Sequence, residues 1–160
     1  MKKPQKTIKR NKTLNLKIDQ SGRIEYTSHD SVIAFSNSKK KAVIIKARDK
    51  RELQKRFREA GKSNVFVFRL FALLIFFLLK DEQFGEIVID IEYPGRGDLI
   101  KNYLLHDFKR IGREVKAENI RFQPVGKSCE AHWHGYYVFK GKRKAEIKIT
   151  VKEVLKEIFH

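Results

Sequence analysis

The stretch that decides the fold is LNLKIDQSGRIEYTSHDSVIAFSNSKKKAVIIKA, residues 14–47. In its first six residues, apolar and polar side chains alternate with the period of two that a half-buried strand requires. Residues 19–22 (DQSG) supply turn residues, so we expect a hairpin to start there and residues 24–28 to continue extended. Apolar runs at residues 31–36 and 42–47, separated by a polar turn, predict two more strands. The first third of the chain is therefore predicted to be antiparallel sheet.

Beyond residue 47 the apolar residues recur with the period of a helix. Leu53, Phe57 and Ala60 share one helical face. Asp49 and Glu52 are spaced as a capping pair for the start of this helix. The pattern predicts an amphipathic helix directly after the third strand.

Residues 65–79 (VFVFRLFALLIFFLL) are the most hydrophobic segment of the chain. Spanning a membrane takes about 20 apolar residues, and this shorter run is interrupted by Arg69. We therefore expect a helix from about residue 65 to 80 that is buried on most sides, and no membrane as partner. The basic N-terminus is not followed by an apolar region, so no secretory signal is expected.

The second half of the chain alternates between strands and helices. A buried strand at residues 86–93 (EIVIDIEY), an amphipathic helix and a short strand at residues 119–125 follow one another. Residues 129–140 (CEAHWHGYYVFK) form an aromatic segment whose periodicity is ambiguous. The chain closes with an amphipathic helix that begins with a capping box of Thr150 and Glu153.

Composition and charge narrow the class of protein. The 160 residues contain 36 Lys and Arg against 19 Asp and Glu, a formal charge of +17, yet 41% are apolar, enough for a folded core. We expect a flexible basic leader at residues 1–12 and a single domain at residues 13–160. One cysteine excludes an internal disulfide and a cysteine-rich zinc site, which favours a cytoplasmic location. The abundance of Lys, Glu and Ile is compatible with a thermophilic source.

The basic excess predicts a polyanionic partner, with DNA or RNA as the first choice and charge kept only for solubility as the alternative. The charge is unevenly distributed. Residues 81–98 contain six acids and one base, whereas residues 1–17 contain seven bases and no acid. Such a pattern is typical of a surface that attracts phosphates around an acidic centre.

The order of elements, together with acids at two strand ends, resembles the ribonuclease H-like superfamily of ribonucleases H, Holliday-junction resolvases, transposases and integrases. Residues 19–22 look like the Asp-x-Ser-Gly turn of many first hairpins in that superfamily. The resemblance implies an α/β fold with a five-stranded mixed sheet, three antiparallel strands followed by two parallel ones, flanked by helices. It also implies an acid on the first strand and another at the end of the fourth, positions held here by Asp19 and by Asp90 and Glu92.

In that fold the first and fourth strands are parallel neighbours, so acids at their carboxyl ends would converge. Carboxylates brought together out of water are costly unless a divalent cation neutralises them. Mg²⁺ or Mn²⁺, which bind oxygen ligands, is therefore the expected cofactor. The resemblance implies metal-dependent cleavage of phosphodiester bonds. The alternative is that Asp90 pairs with a lysine and Glu92 points to solvent.

His132 and His134 are candidates for a third group, because several families of this superfamily bring an Asp, Glu or His to the metals on a late helix. Residues two apart on a helix diverge by about 200°, so only one of them could face the site, and His132 is preferred. Both are kept as candidate metal ligands. The alternative is a histidine packed among Trp133, Tyr136 and Tyr137. The acid that many family members carry on the first long helix is absent from residues 65–79.

Two other functions remain open from the sequence. His132, Trp133 and His134 also resemble the His-hydrophobic-His motif of rolling-circle initiators and relaxases, in which a strand would direct both rings to one metal. That chemistry needs a tyrosine nucleophile, for which Tyr136 and Tyr137 are too close in sequence.

A domain that binds DNA or RNA without cutting it is the remaining alternative, with Tyr136, Tyr137 and Phe139 available for stacking. For either a nuclease or a binding domain, the candidate nucleic-acid contacts are basic residues in three segments: Lys39, Lys40, Lys41, Arg51, Lys55, Arg58, Lys140, Lys142, Arg143 and Lys144.

Overall fold

A computed structural model describes residues 15–159, which form a mixed α/β structure with six strands and five α-helices. The predicted leader at residues 1–12 lies outside the described residues. The strands are β1 (Leu16–Ser21), β2 (Ser31–Ser36), β3 (Lys40–Ile45), β4 (Ile87–Ile89), β5 (Ile120–Phe122) and β6 (Ile147–Ile149). The helices are α1 (Ala47–Glu59), α2 (Phe66–Leu79), α3 (Gly97–Arg110), α4 (Glu130–Phe139) and α5 (Val151–Ile158).

All six strands belong to one mixed sheet, in the order β5-β4-β1-β2-β3-β6. The first three strands pair antiparallel, as the alternation predicts, and β4 and β5 continue the sheet in parallel on the other side of β1. The prediction of five strands is wrong, because β6 adds a sixth, parallel to β3. Its three residues gain their hydrogen bonds from β3, and their alternating pattern is too short to stand out.

The sheet is covered on two faces by different helices. On one face α2 packs against β2, β3 and α3, with every residue from Leu70 to Leu79 buried. On the other face α4 lies across β1, β2 and β3. A Cβ atom at Gly135 of α4 would lie 3.3 Å from the Ser21 hydroxyl, so glycine lets this helix approach the sheet closely. α4 thus lies next to the end of β1 at Ser21.

Arg69 interrupts the apolar run of α2 because it has a buried partner on α3. Its guanidinium donates two hydrogen bonds, both of 2.8 Å, to the two carboxylate oxygens of Asp107. The Asp107 side chain is fully buried, and Arg110 also contacts it. Among residues 15–159, no helix is long and apolar enough to cross a membrane.

The turn after β1 requires glycine at position 22. Gly22 has a φ of +75°, and a Cβ atom there would lie 2.3 Å from the Asp30 carbonyl oxygen. The extended conformation expected for residues 24–28 is wrong, because these residues form turns. The Lys50 ammonium, buried on α1, holds these turns by donating hydrogen bonds to the carbonyl oxygens of Arg23 and Tyr26.

Several predicted boundaries change in the structure. The strand expected at residues 86–93 is limited to β4, and the one at residues 119–125 to β5. The ambiguous aromatic segment is helical. Asp49 and Glu52 do not cap α1; instead Asp30 accepts a 2.8 Å hydrogen bond from the Ala47 amide. The capping box of Thr150 and Glu153 is confirmed.

Candidate metal centre

Two parallel strands bring three acidic side chains together. Asp19 lies on β1, and Asp90 follows directly after β4. The Asp90 amide donates a 3.0 Å hydrogen bond to the Ile18 carbonyl oxygen, which continues the parallel pairing and fixes the two aspartates side by side. Glu92 lies two residues further on. The three residues, the carboxylate cluster, each offer an oxygen atom, and these atoms all lie within 4.8 Å of one another.

The carboxylate cluster is electrostatically costly without a cation. Burial, followed by the proximity of Asp90 and Asp19, raises the pKa of Glu92 to about 8. Burial also raises the pKa of Asp19, with Asp90 adding to the effect and the hydrogen bond from His132 opposing it. At neutral pH the metal-free cluster therefore retains a proton, which its coupled carboxylates share.

The structure does not have the alternative arrangement, in which Asp90 pairs with a lysine and Glu92 points to solvent. Asp90 accepts a 2.8 Å hydrogen bond from the Val125 amide, in the loop between β5 and α4. The Glu92 side chain is only 13% exposed. Neither carboxylate is paired with a lysine among residues 15–159, although Arg23 lies 3.4 Å from Glu92. The largely buried position of Glu92 is what is expected of a metal ligand.

His132 contacts the carboxylate cluster through Asp19. Its Nδ1 atom lies 3.0 Å from Asp19 Oδ2. Because an ionised carboxylate only accepts hydrogen bonds, Nδ1 carries the proton in the neutral ring and Nε2 keeps a free lone pair. His132 is not one of the three residues whose ligand atoms lie within 4.8 Å of one another. It orients Asp19 from outside the cluster, and its Nε2 atom lies on the side of the ring away from this hydrogen bond.

His134 lies apart from the carboxylate cluster, and including it among the ligands of this site is wrong. Its Nε2 atom is 3.0 Å from Glu146 Oε1, and its Nδ1 atom is 3.2 Å from the guanidinium of Arg143. The ring is buried against the sheet, whereas His132 lies at the side of α4. The separation follows from the helical 200° between the two positions.

Arg23 is a site residue that the sequence analysis did not identify. It donates a 2.8 Å hydrogen bond to the Glu92 carbonyl oxygen, and its other terminal nitrogen lies 3.4 Å from Glu92 Oε1. Its Nε atom donates to Glu25 at 2.7 Å, and its guanidinium lies 4.9 Å from the Tyr93 ring centre. Its position directly after the DQSG turn is visible in the sequence, but a partner 69 residues away is not.

The lysines at the start of β3 have acidic partners. Lys39 and Lys41 lie 2.8 and 2.7 Å from the two carboxylate oxygens of Glu82, and Lys40 lies 3.6 Å from Glu130. Glu82 therefore neutralises part of the charge of Lys39 and Lys41, and the role of all three lysines as nucleic-acid contacts stays a prediction.

The other predicted basic contacts belong to α1 and to the end of α4. Arg51 is held by a 2.8 Å hydrogen bond to the Thr27 carbonyl oxygen, while Lys55 and Arg58 are exposed on the same helix. After α4, Lys140, Lys142, Arg143 and Lys144 are all exposed. These four exposed basic residues thus directly follow the helix that carries His132.

Comparisons of the chain with descriptions of protein families, with curated proteins and with solved structures found no match.

Proposed function

We propose that this protein is a metal-dependent nuclease of the ribonuclease H-like type that cleaves phosphodiester bonds of DNA or RNA. The observation that carries the proposal is the carboxylate cluster, whose oxygens lie within 4.8 Å of one another at the ends of two parallel strands. Burial, together with the proximity of the other acids, raises the pKa of Glu92 and of Asp19, and a bound cation would offset this cost.

The strand order supports this proposal. Three antiparallel strands are followed by β4 and β5 in parallel beside β1, the arrangement that the superfamily resemblance implies. In this arrangement β1 and β4 are neighbours, so their carboxyl ends bring acids to one point. The extra strand β6 lies at the opposite edge of the sheet and leaves this point unchanged.

The residues of the carboxylate cluster fit Mg²⁺ or Mn²⁺. All three offer carboxylate oxygens, the ligands that these hard cations prefer, and no thiolate lies among them. Asp19, Asp90 and Glu92 would hold the ion. When bound, such an ion activates water and stabilises negative charge on a phosphodiester.

The chain's own groups would orient the ligands and move a proton. His132 donates to Asp19 and thereby fixes the direction of that carboxylate, while its Nε2 atom can accept a proton. Arg23 fixes the backbone of Glu92 and places a positive charge beside it. The exposed lysines and arginine after α4 would attract the phosphates.

The test is cleavage of labelled single-stranded, duplex, hybrid and branched substrates by the full chain with Mg²⁺, Mn²⁺ or a chelator. Asp19→Asn and Asp90→Asn should each abolish cleavage while preserving the circular dichroism spectrum. Asp98→Asn is the matched control, because Asp98 is an exposed acid in the first turn of α3, and it should cleave as the wild type does.

Equal cleavage by the wild type and both cluster variants would refute the site. If no substrate is cut and no metal binds, the proposed function changes from a nuclease to a domain that binds nucleic acid without cutting it. The His-hydrophobic-His alternative has no support, because residues 130–139 are helical and direct His132 and His134 to different partners.

A further inference from the structure

Exposed aromatic rings lie together on the outer side of α4. Trp133 and Tyr136 are 40% and 38% exposed, and Tyr137 packs beside them. The three ring centres are separated by 5.7 to 6.0 Å. We call these three residues the aromatic surface. Large aromatic side chains are usually buried in a protein, so packing in the core does not explain why parts of these rings are exposed.

Cations accompany the aromatic surface. The Lys140 ammonium lies 5.8 Å from the centre of the Tyr136 ring, and the Arg143 guanidinium lies 4.8 Å from that of Tyr137. Lys142 and Lys144 are exposed nearby in sequence. The acids closest in sequence, Glu130 and Glu146, are paired with Lys40 and His134. The charge of this surface is therefore complementary to a phosphate backbone.

The aromatic surface is one side chain away from the carboxylate cluster. The Trp133 ring packs edge to face with His132, with 5.0 Å between ring centres. His132 in turn lies 3.0 Å from Asp19. A strand whose base stacks on Trp133 would therefore have its backbone close to the cluster.

We infer that the aromatic surface stacks unpaired bases, and that the substrate class of the proposed nuclease is therefore a single strand or an unpaired region of DNA or RNA. This inference rests on the proposed function for its catalytic meaning. Within a duplex each base face is covered by its neighbours, so an exposed ring can stack only on a base that is unpaired or at an end. Aromatic rings beside cations are the usual means of holding single strands without sequence preference.

Trp133 is the only tryptophan of the chain, so its fluorescence reports directly on this surface. The full chain is titrated without metal with an oligothymidylate, with an abasic strand of the same length and with a blunt duplex of that length. The oligothymidylate should quench Trp133 emission, whereas the abasic strand should change it little. The duplex, which exposes base faces only at its two ends, should quench much less than the oligothymidylate. Labelled strands provide affinities by fluorescence anisotropy.

Trp133→Ala should weaken single-strand binding by about fivefold to 150-fold, which corresponds to the stacking of one base. Duplex affinity should stay within about twofold. Trp133→Phe should retain most of the single-strand affinity. Tyr26→Ala is the control, because its ring is 57% exposed on the loop between β1 and β2 and should not contribute.

Equal quenching by the thymidylate and abasic strands, or an equal loss of single-strand and duplex affinity in Trp133→Ala, would overturn the inference. Cleavage of the same strands with Mn²⁺ is measured in parallel. Cleavage without base-dependent quenching refutes the stacking surface and leaves the nuclease in place. Base-dependent quenching without cleavage supports the surface and refutes the nuclease.

Discussion

Asp107 and the carboxylate cluster of Asp19, Asp90 and Glu92 are both largely removed from water, but their charge is met in different ways. Asp107 is fully buried and accepts two 2.8 Å hydrogen bonds from the Arg69 guanidinium. The cluster contains three acids, and burial together with mutual repulsion raises the pKa of Asp19 and of Glu92. The chain thus carries the counterion of Asp107 itself, whereas the cluster is left with excess negative charge.

Glu82 is an intermediate case that sharpens this comparison. It is 9% exposed, and burial opposes its ionisation, but hydrogen bonds from Lys39 and Lys41 lower its pKa overall. Glu82 and Asp107 are thus each matched by basic side chains of the chain itself. Where β1 and β4 meet, the ion pairs of residues 15–159 give the three carboxylates of the cluster one arginine, Arg23, which also contacts Glu25, and this shortage of positive charge is the reason to expect that an external cation binds there.

The largest effect on stability is expected from breaking the ion pair between Arg69 and Asp107. Asp107→Asn leaves the Arg69 charge buried without its counterion, so we expect a loss of about 3–5 kcal/mol in the free energy of unfolding, measured with urea. The double variant Arg69→Met with Asp107→Leu removes both charges and should cost much less. A loss below about 1 kcal/mol in the single variant would show that Asp107 does not depend on this pair.

Metal should act on the carboxylate cluster. At pH 8, Mn²⁺ at about a hundred times its dissociation constant should stabilise the protein by about 2.7 kcal/mol. The raised pKa of Glu92, about 8, means that a proton must leave before the carboxylate can bind, so the affinity should rise with pH up to about 8 and then level off. Urea unfolding with and without Mn²⁺ at pH 6 and 8 measures the effect.

The control for this metal effect is a pair of acidic variants. Asp19→Asn should lose the stabilisation by Mn²⁺, while the exposed Asp98→Asn should keep it. Equal stabilisation of both variants, or an affinity that does not change with pH, would separate metal binding from the carboxylate cluster.

A smaller effect is expected from relieving the repulsion without metal. The pKa of Glu92 is higher in the folded protein than in the unfolded chain, so its contribution to stability is complete below about pH 4.5 and is lost as pH rises through about 8. Glu92→Gln removes this dependence and should be more stable than the wild type by about 1–2 kcal/mol above pH 8, with little difference at pH 5. Urea unfolding at both pH values in a chelator measures it. If the free energy of unfolding of the wild type were the same at pH 5 and above pH 8, the result would contradict repulsion among the carboxylates of the cluster.

Local pattern is enough to predict the parts of the fold that position the aspartates. Alternation in residues 14–19 indicates a strand that reaches Asp19, and the apolar run before Asp90 indicates the second strand. That these strands are parallel neighbours follows only from the superfamily resemblance, because pairing between distant strands leaves no local signal. The order of strands and helices along the chain, and not any local pattern, therefore predicts that β1 and β4 are neighbours.

Contacts that depend on turns and on edge pairing could not be predicted. Arg23 reaches Glu92 because residues 24–28 turn instead of extending, and the buried Lys50 helps to hold that conformation. The helical spacing predicts that His132 and His134 face different sides, but not that His134 contacts Glu146, which lies just before β6, a strand only by virtue of its pairing with β3. Both outcomes are decided by tertiary contacts that outweigh local propensity.

The smallest effect concerns the lysines around Glu82. Lys142→Gln with Lys144→Gln removes two exposed charges and should reduce the slope of log affinity against log salt by up to about 1 for each phosphate that the variant no longer binds. Lys39→Gln with Lys41→Gln should reduce it by less than about half as much, because Glu82 already neutralises part of their charge. Titrations of a labelled strand at several salt concentrations measure both slopes. If the Lys39 and Lys41 variant reduced the slope as much as the Lys142 and Lys144 variant, the ion pairs with Glu82 would not weaken phosphate binding. The charge of Glu82 would then be less fully met by its lysines, and Glu82 would differ less from the carboxylate cluster than the structure indicates.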